Sequence, residues 1–468
     1  MHYLHSGDAL FLCEIFCMEL NTEFIERTKQ LFGTDRYLCF ESALNSEPLV
    51  SIRYNRSKSS AELCEDKVLW ASDACYLEQR PMFTADPLFH AGCYYVQEAS
   101  SMFLEQVVKQ YISTPARVLD LCAAPGGKST HLLSLLPKGS MLVANEPMPL
   151  RAKVLAENVI KWGRVSAMVV KNEPKDFACF KNLFDVIVVD APCSGEGMFR
   201  KDSFAVEQWS VSNVELCARR QREILADVWP ALRPGGLLVY STCTFNREED
   251  EDCVAWVSQE LGAEVLPLDI SDEWGITPNL TGSNSPVYRF IPGYTRGEGF
   301  FLSVMRKSGN DKPQASRAIR QQVAPAKLRE QVSAWLKNPA EFNYIMQGDT
   351  IVAQPKEHAD AMSLLSSKLN VLHVALPLAT VKNNKLLPTH ALAMSTQLNP
   401  NAFTKVELER EKALMYLHRE ALALPDAPMG ILLLTYKGTP IGFAKNVGNR
   451  ANNLYPAEWR IRKDPMEL

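Results

Sequence analysis

The sequence lacks several features, and each absence excludes a class of protein. No apolar run approaches the roughly 18 residues of a membrane-spanning helix. The opening stretch MHYLHSGDALFLCEIFCMEL has no basic leader and no small-residue cleavage site, and it carries Glu14, which argues against a signal peptide. None of the 12 cysteines forms a C-x-x-C pair, and no Cys/His cluster has zinc-finger spacing, so no metal is expected. Without a secretion signal the expected location is the cytoplasm, and the expected state of the cysteines is free thiol. A strong charge excess is also missing. The formal net charge of −4 by itself argues against a generic polyanion binder. There are no internal repeats, no low-complexity tracts and no G-x-G-x-x-G dinucleotide fingerprint.

What is present is uneven along the chain. A length of 468 residues suits two to three domains. Residues 308–468 contain no cysteine and carry 20 Lys+Arg against 14 Asp+Glu, whereas the preceding part is net acidic. Localised basic charge of this kind is common in nucleic-acid-binding proteins. We expect an extension at 1–17 ahead of a second methionine, Met18, then an N-terminal region at 18–102 of mixed helix and loop. Within that region NTEFIERTKQLFG has helical spacing, with Asn21 and Gly33 as start and stop signals.

From Ala116 onward apolar strand-like runs alternate with helical patterns: ARVLDLCAAPGG, SMLVANE, AMVVKN, FDVIVVDAP and GGLLVYSTC are separated by KSTHLLSLL, PLRAKVLAENVIKWG and NVELCARRQREILADVWPAL. This alternation predicts a parallel sheet covered on both faces. NREEDEDCVAWVSQEL reads as a further helix with Asn246 and Glu249 at capping-box spacing. GFFLSVMRK closes the domain as a strand, giving a catalytic domain at 103–307. The polar, proline-containing stretch at 308–327 reads as a linker. Residues 328–468 read as a small α+β domain, with strand-like runs in YIMQGDTIVAQ, LNVLHVAL and MGILLLTYKGTPIGFAKN and one helix in KVELEREKALMYLHRE.

Ligands of such sheets sit at the carboxyl ends of the strands. DLCAAPGGKST follows the first strand and opens a helix, where backbone N–H groups suit a carboxylate or a ribose. It is not a P-loop, because Cys122 occupies the position of the first glycine in G-x-x-x-x-G-K-[ST]. Glu146, Asn172 and Asp190 end the next three strands. Polar residues at successive strand ends point to a nucleoside-type pocket. Two cysteines, Cys193 in DAPCSGEG and Cys243 in YSTCTFN, also follow strands that face it. Thiolate is a strong nucleophile and a good leaving group, as covalent catalysis requires.

LDLCAAPGGKSTHL, NEPMPLRAKVLAENVIKWG, DVIVVDAPCSGEGMFRKD and LLVYSTCTFNREEDE together resemble the motifs of the RNA cytosine-5 methyltransferases, the family of the bacterial RsmB- and RsmF-type ribosomal RNA enzymes. GCYYVQEASSM and RGEGFF agree with it, and GNRANNLYPAEWRIR is similar to the PUA-like domain of the RsmF branch. The resemblance implies a class I, Rossmann-like domain with a mostly parallel sheet and an antiparallel final strand, a small N-terminal RNA-binding region and a C-terminal PUA-like domain. It implies S-adenosylmethionine as cofactor, held by Cys122, Ala123, Ala124, Pro125, Gly126, Gly127 and Lys128, with Glu146 on the ribose, Asn172 near the adenine and Asp190 near the methyl donor. It implies Cys243 as the attacker of cytosine C6 and Cys193 in product release, although a Pro-Cys pair by itself favours Cys193 as attacker. Asp190 then orients the base and Lys128 orients or neutralises nearby groups.

The sequence departs from the family at two positions: Asn172 stands for the usual Asp, and Gly293 stands where a His is common. The implied partner is RNA, small-subunit ribosomal RNA above all, and a monomer is expected. Arg53, Arg200, Lys201 and the tail NRANNLYPAEWRIRK are candidate RNA contacts. Transfer RNA remains open as a substrate. An inactive RNA-binding or ribosome-assembly protein is the reading from another class, disfavoured because both cysteines and the Gly-rich turn are present.

Overall fold

The computed structural model of the protein describes residues 18–309, 321–383 and 385–463. The expected extension at 1–17, with Cys13 and Cys17, lies outside them, as does most of the linker expected at 308–327.

The N-terminal region opens with two helices, Thr22–Phe32 and Thr34–Leu44. Asn21 caps the first by accepting from Glu23 N at 2.8 Å, and Gly33 ends it at φ +79°, as the sequence signals predict. Phe24, Thr28 and Phe32 recur at i, i+4 and i+8 and are buried. Phe24 and Phe32, together with Phe40, pack on Phe199, Trp209 and Phe245 of the catalytic domain. The region also holds a three-stranded antiparallel sheet that the mixed helix-and-loop expectation missed. Its strands β1 (Val50–Tyr54), β2 (Ala74–Leu77) and β3 (Tyr94–Val96) are in the order β2-β1-β3. Strands of three to five residues are too short to show a period of two. Cys64 and Cys75 are joined in a disulfide, contrary to the free-thiol expectation. The antiparallel bridge between Lys67 and Cys75 and the bond from Tyr76 N to Asp66 O fold the Cys64 loop back onto β2, a proximity 11 residues of sequence do not reveal.

The catalytic sheet is built from β4 (Arg117–Asp120), β5 (Met141–Asn145), β6 (Ala167–Val170), β7 (Phe184–Asp190), β8 (Leu232–Thr242), β9 (Ala263–Leu266), β10 (Tyr288–Phe290) and β11 (Phe300–Lys307). The order is β10-β11-β8-β7-β4-β5-β6, with β9 also on β11. β4 through β8 are parallel, and β11 runs antiparallel to β8, as expected for this class. β5 and β6 are buried at every residue, because apolar cores lie on both faces of the sheet. The chain leaves β4 toward β5 and β6 and returns to β7 on its other side, so the strand order reverses beside β4, where α/β sheets bind ligands. The helix expected from Asn246 begins at Glu251 instead. Asn246 Oδ1 does accept from Glu249 N at 2.9 Å, but it caps a turn ahead of the helix.

Residues 321–463 do not form a body separate from this sheet. β14 (Val371–Val374) pairs antiparallel with β6 and adds an edge strand to it. On either side of that strand lie β12 (Phe342–Gln347) and β13 (Thr350–Pro355), then β15 (Leu376–Lys382) and β16 (Lys385–Pro388), which form a four-stranded sheet. A second sheet contains β17 (Thr404–Glu407), β18 (Gly430–Tyr436), β19 (Thr439–Asn446) and β20 (Ala451–Asn453). The single helix expected over KVELEREKALMYLHRE is a strand followed by a shorter helix, Arg410–His418, since Thr404–Glu407 pairs parallel with β18. Helices Ala359–Ser366 and His390–Met394 were also missed, and helix Ala326–Ser333 takes in the end of the expected linker. At Gly163, φ +84°, a Cβ would fall 2.3 Å from Met394 O, so only glycine lets the C-terminal part dock this closely on the helix Pro149–Trp162.

Candidate active site

The strand-end loops of β3, β4, β7, β8 and β11 surround a cavity of about 390 Å³. β4 ends at Asp120, and residues 121–126 turn into the helix Gly127–Leu135, whose free N–H groups face the carboxyl edge of the sheet. Cys122, Ala123, Ala124, Pro125, Gly127 and Lys128 line the cavity together with Asp190 and Cys243. Gly126 sits behind them at φ +116°.

Lys128 is nearly enclosed and joins the two sides of the site. Its Nζ lies 2.8 Å from Asp190 Oδ1 and 5.0 Å from the centre of the Phe300 ring. Asp190 Oδ1 also accepts from Ser241 Oγ at 2.7 Å, which ties the end of β7 to β8. Burial, with Asp120, Asp190 and Glu146 nearby, pushes the Cys122 thiol well above its ordinary value, so it stays protonated. Asp120 is fully buried. One of its oxygens accepts from Ser129 Oγ at 2.6 Å, and Oδ1 has no partner among the described residues. Burial raises this carboxyl to about 7, opposed by the Ser129 bond and by Lys128.

The two cysteines meet. Cys193 Sγ lies 3.0 Å from Cys243 Sγ, though only Cys243 lines the cavity. The hydrogen bond with Cys243, followed by burial, raises the Cys193 thiol well above its ordinary value, so Cys193 stays a thiol; either sulfur can donate in the contact between them.

Glu146 and Asn172 stand apart from the cavity wall. Glu146 is buried, accepts from Met148 N at 2.9 Å and lies 3.5 Å from Arg151 Nη2. The side-chain oxygen of Asn172, needed for an adenine amino group, accepts from Asn370 N at 2.9 Å, while its Nδ2 donates to Asp176 Oδ2 at 3.0 Å. Asn172 therefore holds the first residue of the β14 connection to the sheet.

Two of the candidate RNA contacts are internal struts, neither surface charges nor free ligands. Arg53 is buried, donates to Gln97 Oε1 at 2.9 Å and Thr130 Oγ1 at 2.7 Å, and lies 4.5 Å over the Trp162 ring. It thereby joins β1 to the Gly-rich turn. Arg200 is held by Glu298 at 3.0 Å and by Ala43 O at 3.1 Å. Lys201 lines the cavity, 3.3 Å from Glu298. In the tail, Arg450, Arg460, Arg462 and Lys463 are exposed. Residue-level reading missed Tyr95, Gln97 and Phe300 on the cavity wall, although all three lie in GCYYVQEASSM or RGEGFF. No motif position says which side chain turns inward.

Among the described residues no cluster of three or more His, Cys, Asp or Glu is placed to hold a metal, and no helix is long and apolar enough to cross a membrane.

The strand order, the Gly-rich turn and the cavity at the sheet's carboxyl edge are those of a Rossmann-like methyltransferase domain. Residues 112–306 match the family 16S rRNA methyltransferase RsmB/F, residues 20–99 the N-terminal domain of 16S rRNA methyltransferase RsmF, and residues 403–461 the methyltransferase RsmF PUA domain. Ribosomal RNA small subunit methyltransferase F of Enterobacter sp. (strain 638) is 32% identical over 413 residues, covering 84% of this chain and 83% of its own. The protein of that name from Escherichia coli O9:H4 (strain HS) is 30% identical, covering 79% and 78%. A methyltransferase homolog protein from Pyrococcus horikoshii is 26% identical, with a TM-score of 0.54, over 62% of this chain and 96% of that one. NSun6 from the same organism, solved with SFG, shares the fold at a TM-score of 0.53 and 21% identity, over 63% and 100%. The chain belongs to the ribosomal RNA small subunit methyltransferase F family.

Proposed function

We propose that the protein methylates C5 of a cytosine in 16S ribosomal RNA, using S-adenosylmethionine. The residues present fit the cofactor. The cavity has the size of a site for a small organic ligand. The helix N-terminus at Gly127 suits its carboxylate. Asp190, on the cavity wall, supplies negative charge near a sulfonium. Residues 122–128 and Asp190 would hold it, with Glu146 on the ribose and the Asn172 segment at the adenine end. When bound, it supplies an electrophilic methyl group.

The chain's own residues do the rest. Cys243 Sγ adds to cytosine C6 as a thiolate, and electron density moves to C5. Asp190, fixed by Lys128 and Ser241, holds the base edge through N3 or the exocyclic amine. After C5 gains the methyl group a base takes the C5 proton, the C5–H electrons restore the C5–C6 double bond, the pair of the C6–S bond returns to Cys243 Sγ, and the Cys193 thiol donates a hydrogen bond to the departing sulfur. The target base must be single-stranded or flipped to enter, at a cost of a few kcal/mol. The exposed basic tail of the PUA domain and the N-terminal region are the RNA-binding parts, in a protein that works as a cytoplasmic monomer. We assign 18–102, 103–307 and 328–468 to RNA binding, catalysis and RNA binding respectively, with β14 lent back to the catalytic sheet.

The observation that carries this reading is that Cys243 lines the same cavity as the Gly-rich turn and the Lys128–Asp190 pair. The test is transfer of a radiolabelled methyl group from S-adenosylmethionine to purified RNA. Label in 16S ribosomal RNA as 5-methylcytosine is expected. Label in transfer RNA instead, or in neither, would overturn the substrate assignment.

A further inference from the structure

Two buried carboxylates outside the cavity connect the loops that carry the cysteines. Glu249 is fully buried on the turn after β8. Its oxygens accept from Ser194 N at 3.0 Å, Gln221 Nε2 at 2.6 Å and Asn246 Nδ2 at 2.8 Å. Ser194 follows Cys193, and Gln221 Nε2 also donates to Pro192 O, just before Cys193, at 3.0 Å. The Cys243 side thus holds the Cys193 loop on both flanks. Glu196 makes the reverse link. It sits on the Cys193 loop, is buried, and accepts from Phe245 N at 2.7 Å, two residues past Cys243. Trp209 Nε1 and Asn246 Nδ2 donate to its other oxygen, at 2.9 and 3.1 Å. Gly197 N donates to Cys243 O at 2.8 Å and closes the crossing. Asn246 lies between the two carboxylates and donates to both.

Neither carboxylate makes an ion pair among the described residues. N–H donors alone hold them, and each such donor belongs to or steadies one of the two loops. Burying carboxylates is costly unless hydrogen bonds satisfy them. Burial pushes the Glu249 carboxyl up to about 7, and the Ser194 and Asn246 bonds pull against it.

We propose that Glu249 and Glu196 are positioning residues that clamp the two loops across each other and thereby set the separation of Cys193 and Cys243. The catalytic consequence rests on the cysteine roles given above, whereas the clamp itself requires neither RNA nor cofactor. Displacement of a reacting group by about 1 Å costs about 100-fold in rate.

The test uses the full chain and dibromobimane, a two-armed thiol reagent that fluoresces once both arms have reacted. Signal from the pair is the excess over a Cys193→Ala variant. Glu249→Gln keeps the size but turns an NH2 toward N–H donors. Its pair signal is expected to fall to the Cys193→Ala level, with kcat down about 100-fold and with KM for RNA and calorimetric binding of S-adenosylmethionine unchanged. Should Glu249→Gln lose cofactor binding, Gln221→Ala, which removes one donor from Glu249 and from Pro192 O, is expected to lower the pair signal with binding intact. Full pair signal in a variant that binds cofactor would overturn the proposal. So would loss of cofactor binding in both variants, which would make the network a support of the whole fold. A clamp-dependent pair signal in a wild-type protein that methylates no RNA would overturn the catalytic reading and leave the clamp standing.

Discussion

Cys193 Sγ and Cys243 Sγ lie 3.0 Å apart across 50 residues of sequence. They meet because β7 and β8 are parallel neighbours, with Asp190 beside Ser241 in register, so the loops that follow leave the sheet side by side. The bond to Cys243 and then burial keep Cys193 a protonated thiol, and of the two only Cys243 faces the cavity. The two roles therefore separate by variant. Cys243→Ala is expected to abolish turnover. Cys193→Ala is expected to accumulate a covalent protein–RNA adduct, seen as a slow band on denaturing gels. An active Cys243→Ala enzyme, or no adduct with Cys193→Ala, would count against this division.

Asp190 takes its geometry from Lys128 at 2.8 Å and Ser241 at 2.7 Å. Asp190→Asn keeps the shape but loses the ion pair and the charge. Single-turnover methyl transfer should slow by about 100- to 1,000-fold, the usual effect of removing one preorganised electrostatic contact. Loss of RNA binding with an unchanged rate in the bound complex would contradict that role.

At the seam with the C-terminal part, Asn172→Ala removes the bonds to Asn370 N and Asp176. A destabilisation of about 1 kcal/mol is expected. Amide hydrogen exchange should quicken at Asn370 and along Val371–Val374, and should stay unchanged in β18 and β19. Uniform exchange across all of these would show that Asn172 does not hold the seam.

Gly293 has φ +92°, and a Cβ there would lie 2.9 Å from Cys39 O and 3.0 Å from Cys39 Sγ. The helix Thr34–Leu44 occupies space that a side chain would need. Gly293→His, the residue common in the family, should destabilise this protein by about 1–3 kcal/mol through backbone strain, with more from the clash. Equal urea midpoints for variant and wild type would refute the account of this departure.

Burial lowers His373 of β14 from 6.5 to about 4, with a backbone bond to Ala375 acting against it. Its neutral form contributes stability above pH 6.5, and that contribution is lost as pH falls toward 4, because the unfolded chain binds the proton first. The change is at most about 3 kcal/mol. Urea unfolding at pH 7.5 and 4.5 should show a smaller acid loss for His373→Phe than for wild type. Equal losses would mean that His373 titrates alike in both states.

The catalytic sheet was legible because buried parallel strands such as Met141–Asn145 are apolar up to a polar last residue. The Gly-rich turn and both cysteines were legible as motif positions. The destination of β14 was not: LNVLHVAL reads as a strand, but its partner β6 lies about 200 residues earlier, and pattern alone does not choose a partner. Arg53 looked like a surface charge because nothing in SIRYNRSKSS reveals Trp162 and Thr130 around it. The Glu196–Glu249 crossing was hidden in the same way. Asn246 and Glu249 have capping-box spacing, and that local reading gave no reason to look for Ser194.

The most direct test maps 5-methylcytosine in 16S ribosomal RNA by bisulfite sequencing from cells lacking this gene, complemented with wild type or with Cys243→Ala. The account predicts that a 16S cytosine loses its methyl group in the deletion, regains it with wild type and stays unmethylated with Cys243→Ala. An unchanged 16S pattern in the deletion, or restoration by Cys243→Ala, would contradict it.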